Sequence, residues 1–178
     1  MIKKLFIISS FAILLYSCKQ PAYGDLTVNL KDAPIDLQEV NIDLQDIEIF
    51  IEGSDQNRWY KLKTNQGIYN ILLFQNTSAL VATQNKIPEG KITLLKLILG
   101  NNNSILENDE YHPLLTQHAP HEKFSVIVPA DYQVTANNTL HILLDIDAER
   151  SITKNAEGSY RLHPVAVSGI VNSPMEIY

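Results

Sequence analysis

Residues 40–51 read Val40-Asn41-Ile42-Asp43-Leu44-Gln45-Asp46-Ile47-Glu48-Ile49-Phe50-Ile51. Val40, Ile42 and Leu44 recur at every second position, and so do Ile47, Ile49 and Ile51, which is the period of a strand with one face on a core. The two sets are out of phase. A strand cannot change face without an extra residue, so a β-bulge or a strand break is expected near Gln45 and Asp46. Such a slip would let one strand serve both sheets of a sandwich.

The same alternation extends on either side. Leu26, Val28 and Leu30 mark a first strand, closed by Asp32-Ala33-Pro34 because proline lacks an N–H and holds its predecessor extended, with a turn at Ile35 and Asp36. Downstream, residues 53–57 form a loop and residues 58–62 return as a hairpin partner. Residues 68–74 read as a strand, and residues 76–85, containing Ser78-Ala79-Leu80-Val81-Ala82, as a short helix. Pro88-Glu89-Gly90 is a turn. Ile92 and Leu94, then Leu97 and Leu99, alternate with a second slip, and Asn101-Asn102-Asn103 ends that strand. Residues 107–123 form a polar connection. Phe124, Val126 and Val128 run into a turn at Pro129-Ala130-Asp131. Leu140, Ile142, Leu144 and Ile146 make another half-buried strand, and Val165, Val167 and Ile170 or Val171 mark the last one. With no long segment at helical period, the expected fold is all-β. It is a single β-sandwich domain over residues 25–178 with one short helix.

Of 178 residues, 45% are hydrophobic and 19% charged, enough to bury one ordinary core and too apolar for disorder. The formal net charge is −6. No run of Lys and Arg is present to bind phosphate backbones, which argues against nucleic acid as a partner. The first residues are basic (Lys3, Lys4), then apolar over 5–16, then Ser17 and Cys18, the order of an export signal spanning residues 1–17. Its apolar run is shorter than the roughly 20 residues a spanning helix needs. Loss of the leader removes Lys3 and Lys4 and takes the mature charge to about −8.

Leu15-Tyr16-Ser17-Cys18 resembles the bacterial lipobox, whose cysteine becomes the acylated N-terminus after cleavage. The resemblance implies fatty chains of the palmitate class on Cys18 and a tether over residues 18–24. Cys18 is also the single cysteine of the chain, so no intrachain disulfide can account for a thiol in an exported protein. Several acyl chains, at about 0.8 kcal/mol per buried methylene, hold a protein on a bilayer far better than one. The expected partner is therefore a membrane through a lipid anchor. The expected address is the cell envelope, as an outer-membrane lipoprotein facing the periplasm or the cell surface. Lys19 to Gly24 carry no acidic tract of the kind that resembles a surface-export signal, which favours the periplasmic side.

Further motifs occur in order: Asp32-Ala33-Pro34; Trp59 with Leu62; Pro88-Glu89-Gly90-Lys91-Ile92; Leu143-Leu144-Asp145-Ile146-Asp147-Ala148 with Ser151; and Leu162-His163-Pro164-Val165. Together, over residues 24–170, they resemble the bacterial lipoprotein family catalogued as domain of unknown function 4382. The resemblance implies a β-sandwich of immunoglobulin-like or transthyretin-like topology and no catalytic activity. Lys91 departs from the aromatic residue common at its position in that family.

Several side chains are candidates for chemistry. His112, His118 and His121 share one segment and could hold zinc, but Pro113 and Pro120 forbid the same-helix spacing of zinc peptidases, and a solvated loop is the simpler account. Asp145 and Asp147 fall on the face of His141, about 7 Å apart along a strand, where they could bind Ca²⁺ or act as acid and base. The outward face of a half-buried strand is polar in any case, and Arg150 or Lys154 could neutralise Asp145. Asp32 and Asp36 invite the same calcium reading, beside the cheaper one of turn formation. Trp59 and Tyr60 must point to opposite sides of their strand. An exposed ring could stack on a sugar, although packing of Trp59 in the core with Tyr60 at a margin is the plainer expectation. No phosphate loop, serine elbow or dinucleotide fingerprint occurs, and no cofactor is expected.

The expected role is a non-enzymatic binding or adhesion module for an envelope protein or glycan. A fimbria-like structural subunit is the alternative, and a metal-dependent hydrolase on His118, His121 and a carboxylate the third. Substituting Cys18→Ala is expected to release the exported protein from membranes washed at high salt, as read by fractionation. Retention on the membrane would exclude the acyl anchor.

Overall fold

The computed structural model describes residues 22–32, 35–53, 57–116 and 124–171. Its first strands are β1 (Tyr23–Asp32), β2 (Glu39–Glu52), β3 (Arg58–Lys61), β4 (Lys63–Thr64) and β5 (Gly67–Asn70). A 3-10 turn (Ile71–Phe74) leads to β6 (Ala79–Pro88), β7 (Gly90–Leu99), β8 (Ser104–Glu107), β9 (Glu110–Leu115) and β10 (Phe124–Val134). Then come β11 (Thr139–Ile146), the single turn α1 (Ala148–Ser151), β12 (Ile152–Lys154), β13 (Tyr160–Leu162) and β14 (Ala166–Ile170). The fold is all-β, as the alternation demands.

Two sheets pack on each other. One has the order β14-β11-β1-β6-β4, and the other β10-β7-β2-β8-β9-β13-β12, with β3 and β5 also paired to β2. In the first, β1 and β11 are parallel, and Leu26, Val28 and Leu30 stand beside Leu140, Ile142 and Leu144. In the second, Leu44, Ile47, Ile49 and Ile51 of β2 stand beside Leu99, Leu97, Leu95 and Ile92 of β7. All but the partly buried Leu140 are buried, and together they form one core. Each contributes about 1.5–3 kcal/mol of transfer free energy, so the two stripes dominate the stability of the fold.

The slip in β2 is real. Leu44 pairs with Leu99 and Asp46 with Ile98, which leaves Gln45 as the extra residue. The strand nevertheless stays in one sheet. The crossing to the other sheet is made by β4, whose Lys63 and Thr64 pair with Thr83 and Ala82 of β6. The slip in β7 falls earlier than the alternation suggests. Thr93 is the bulged residue, so the buried set is Ile92, Leu95, Leu97 and Leu99, with Leu94 on the other face.

Four local expectations are corrected. Residues 79–88 form strand β6 rather than a helix. Antiparallel pairing with β1 overrides the helix propensity of Ala79, Leu80 and Ala82, which is too short to nucleate alone. Residues 68–74 divide between β5 and the 3-10 turn, where the Asn70 side chain accepts from the N–H groups of Leu72 and Val40 and Ile71 drops into the core. The connection after Glu107 begins as a tight hairpin, β8–β9, with Asn108 and Asp109 at positive φ. Pro129-Ala130-Asp131 is an irregularity inside one strand, β10, rather than a turn. Lys91 pairs with Asp131 at that strand, 2.9 Å apart.

Between β7 and β8 the chain leaves β2 for Gly100 to Asn103, and one buried carboxylate organises the detour. The N–H of Asn102 (3.1 Å) and the amide of Gln45 donate to Asp43, and the Asp43 N–H donates to the Asn103 side chain (2.8 Å). Asn103 in turn donates to the Gly100 carbonyl at 2.7 Å. A Cβ on Gly100 would lie 2.1 Å from the Asp43 carboxylate, so only glycine fits. Gly100→Ala is expected to cost about 2–4 kcal/mol in denaturant unfolding, because a hydrogen-bonded buried carboxylate must move. In an Asp43→Ala background most of that penalty should vanish, whereas Gly169→Ala, with open space around it, should stay within about 0.5 kcal/mol.

Candidate functional site

The site is built by three elements that meet beyond the C-terminal end of β1. The β1–β2 connection supplies Ile35, Asp36 and Leu37, the end of β8 supplies Glu107, and the α1–β12–β13 unit supplies Glu149, Ile152, Lys154 and Tyr160. They surround an open cleft of about 670 Å³.

Local sequence explains the unit. Asp147 caps α1, its carboxylate accepting from the Arg150 N–H at 2.9 Å. Buried Ser151 accepts from the Val165 N–H through its side chain (2.8 Å) and from the His163 N–H through its carbonyl (2.7 Å). The Asp32 carboxylate accepts from the Ala148 N–H at 3.2 Å, which ties α1 to the end of β1. After Lys154 the chain turns through Asn155, whose side chain accepts from the N–H groups of Glu157 and Ser159, with Gly158 at positive φ. Lys154 and Tyr160 are thereby placed opposite each other across the β12–β13 ladder.

Both reach Glu107. The Tyr160 hydroxyl and the Lys154 ammonium (2.9 Å) donate to the same carboxylate oxygen. Lys154 also lies 4.7 Å from the centre of the Tyr160 ring, and the His112 ring packs on Tyr160 at 5.5 Å. The Tyr160 hydrogen bond, followed by that of Lys154, holds the Glu107 carboxyl below its ordinary pKa. Tyr160 and Glu107 raise that of Lys154. Asp36 and Glu149 at the rim are exposed and make no ion pair among the described residues. The cleft thus combines aliphatic walls, one compensated ion pair and two carboxylates open to solvent.

The residues singled out from sequence are dispersed. His112 lies on β9 against Tyr160, while His118, His121 and Cys18 fall outside the described residues. Among the described residues no group of three or more His, Cys, Asp or Glu is arranged to hold a metal ion. Asp147 stands past the end of β11 as a helix cap rather than on its face, and Arg150 sits beside it at 3.9 Å. Lys154 is engaged with Glu107, so neither cation neutralises Asp145, whose Oδ1 is buried without a hydrogen-bond partner among the described residues. His141 bonds the Thr27 hydroxyl at 2.8 Å on the same sheet. Asp32 is buried under α1, and Asp36 alone of that pair reaches the cleft.

Trp59 and Tyr60 do point opposite ways, but with the sides exchanged. Tyr60 packs against the core, and Trp59 is 37% exposed on the outer face. The reason is register: Trp59 lies opposite Phe50 and Tyr60 opposite core Ile49, and cross-strand partners share a face. The Phe50 ring lies 5.3 Å from Trp59, and Lys96, itself paired with Glu48, sits 4.0 Å from the indole centre.

Glu107, Lys154 and Tyr160 were not apparent in the sequence as a site. Lys154 and Tyr160 flank a Glu157-Gly158 turn in an alternating run, a legible hairpin signal, but nothing local points from them to Glu107.

The chain matches the family described as Domain of unknown function (DUF4382) over residues 23–164. It belongs to that family. No curated protein and no solved structure matches it. The family match covers both the β1–β2 and the α1–β13 parts of the cleft, so the cleft lies within the family domain. Because its folded pKa is lowered, Glu107 contributes stability that is present above its unfolded pKa and lost as pH falls through the folded value. Carbon-detected NMR titration should place the Glu107 midpoint below that of a free glutamate, and Tyr160→Phe should move it back up.

Proposed function

We propose that this chain is a non-enzymatic lipoprotein of the bacterial cell envelope, anchored by acyl groups on Cys18, whose domain recognises an envelope protein or glycan through the cleft. The observation that carries this reading is the make-up of the cleft. Ile35, Leu37 and Ile152 offer apolar contact, while Asp36 and Glu149 offer acceptors not committed to ion pairs among the described residues. A ligand with aliphatic surface beside hydrogen-bond donors or a positive charge complements it. The non-enzymatic reading is supported by the chemistry of the central trio. A carboxylate held below its usual range and bonded to two donors is a weak base, and a lysine raised above its own is a poor nucleophile.

Among the described residues no helix is long and apolar enough to cross a membrane, and the anchor in this reading is lipid alone. Affinity capture from detergent-solubilised envelopes, with the lipidated protein as bait, tests the assignment of the cleft. An Asp36→Lys/Glu149→Lys variant is expected to retain at least about tenfold less of the specific partner, since like charge at an interface costs more than 1.4 kcal/mol. Trp59→Ala should retain it fully. The reverse pattern would move recognition to the outer sheet face, and concentration-dependent polymerisation of the protein would favour a structural subunit.

A further inference from the structure

The chain enters the domain at one pole, and the cleft lies at the other. The Ala22 carbonyl accepts from the Glu89 N–H (2.9 Å), the Tyr23 carbonyl from the Asn137 N–H (2.9 Å), and the Asn138 carbonyl from the Asp25 N–H (2.9 Å). Gly24 runs so close to the carbonyls of Thr135 and Asn138 that an added Cβ would lie 2.5 and 2.9 Å from them. A Cβ on Gly90 would likewise lie 2.6 Å from the Ile51 side chain and 2.8 Å from the Glu52 carbonyl. The entry point is therefore fixed among the β6–β7 turn, the β10–β11 turn and the end of β2. From there β1 runs ten residues to Asp32, about 30 Å, and Asp32 bonds α1 beneath the cleft.

From these distances we infer that the pole formed by Tyr23, Pro88 to Gly90 and Thr135 to Asn138 faces the bilayer, and that the cleft opens away from it. The inference rests on acylation of Cys18. Cys18 is four residue steps from Ala22, a reach of at most about 14 Å. That is about half the length of β1. Bringing the cleft down to the lipid by inverting the domain would lift Ala22 about 30 Å above the surface, twice what the tether spans. Tyr23, 42% exposed at the entry point, is the residue type that sits at headgroup level. The partner of this pole is thus a lipid headgroup surface, and the partner of the cleft lies in the aqueous space beyond.

Fluorescence quenching by nitroxide-headgroup lipid in vesicles carrying the full lipidated protein tests the orientation. Trp59 is the single tryptophan, and it pairs with Phe50, two residues from the end of β2 at the entry pole. It should be quenched without any substitution. In a Trp59→Phe background, Tyr23→Trp should be quenched several-fold more than Ile152→Trp, which reports from the cleft. Inserting about twelve Gly and Ser residues between Gln20 and Pro21 should shrink that difference, because the longer tether no longer forbids inversion. Equal quenching of the two variants at the natural tether length, or stronger quenching in the cleft, would overturn the orientation. Protein that fails to float with the vesicles would instead overturn the anchor.

Discussion

A strand of fourteen residues can keep one face on a core only if its pleat stays in phase with its neighbours. β2 is the strand on which most of the second sheet is assembled, since β3, β5, β7 and β8 all pair with it. Gln45 is spent as an unpaired residue so that Val40, Ile42 and Leu44 on one side and Ile47, Ile49 and Ile51 on the other all reach the same core. Thr93 does the same for β7. Without the two bulges, half of one stripe would face water, and at a few kcal/mol per large side chain no other feature of the fold could compensate.

The first bulge has a consequence next to it. Asp43 precedes Gln45 by two residues, and its carboxylate is covered by the Gly100 to Asn103 detour. Through Asn103, whose carbonyl accepts from the Leu114 N–H, the detour also sets the start of β9. β8 then continues where β7 left β2, and β9 brings its edge to β13. The position of Tyr160, and with it the ion pair of Glu107 and Lys154, therefore depends on a polar knot made at the centre of the sheet. Burying a carboxylate there is tolerable because it is hydrogen-bonded within the loop it organises.

The short motifs singled out in the sequence divide between the two ends of the molecule. Pro88-Glu89-Gly90 closes the pole where the chain enters. Asp32, Asp147, Ala148, Ser151 and His163 to Val165 converge at the other, where side-chain and backbone acceptors hold α1 and β12 by hydrogen bonds from backbone N–H groups. These motifs are scaffold: they set the shape of the cleft, whereas most of the side chains that line it, such as Leu37, Glu107 and Tyr160, lie between them. A reading that looks for chemistry in the motifs themselves, in Asp145 and Asp147 for example, finds a strand face and a helix cap.

Alternation alone was sufficient for the fold class, the slip in β2 and the strands β1, β2 and β11, because the period of two is a local property of the chain; the place of the slip in β7, at Thr93, followed only from its pairing with β2. Where local preference was weak, pairing decided. Ala79 to Ala82 became a strand because β1 offered an edge, and Trp59 turned outward because Phe50 stood opposite. The cleft lies wholly on that second level. Glu107, Lys154 and Tyr160 are joined across separations of 47 and 53 residues, and such contacts follow from sheet order and register, which no short window of sequence contains.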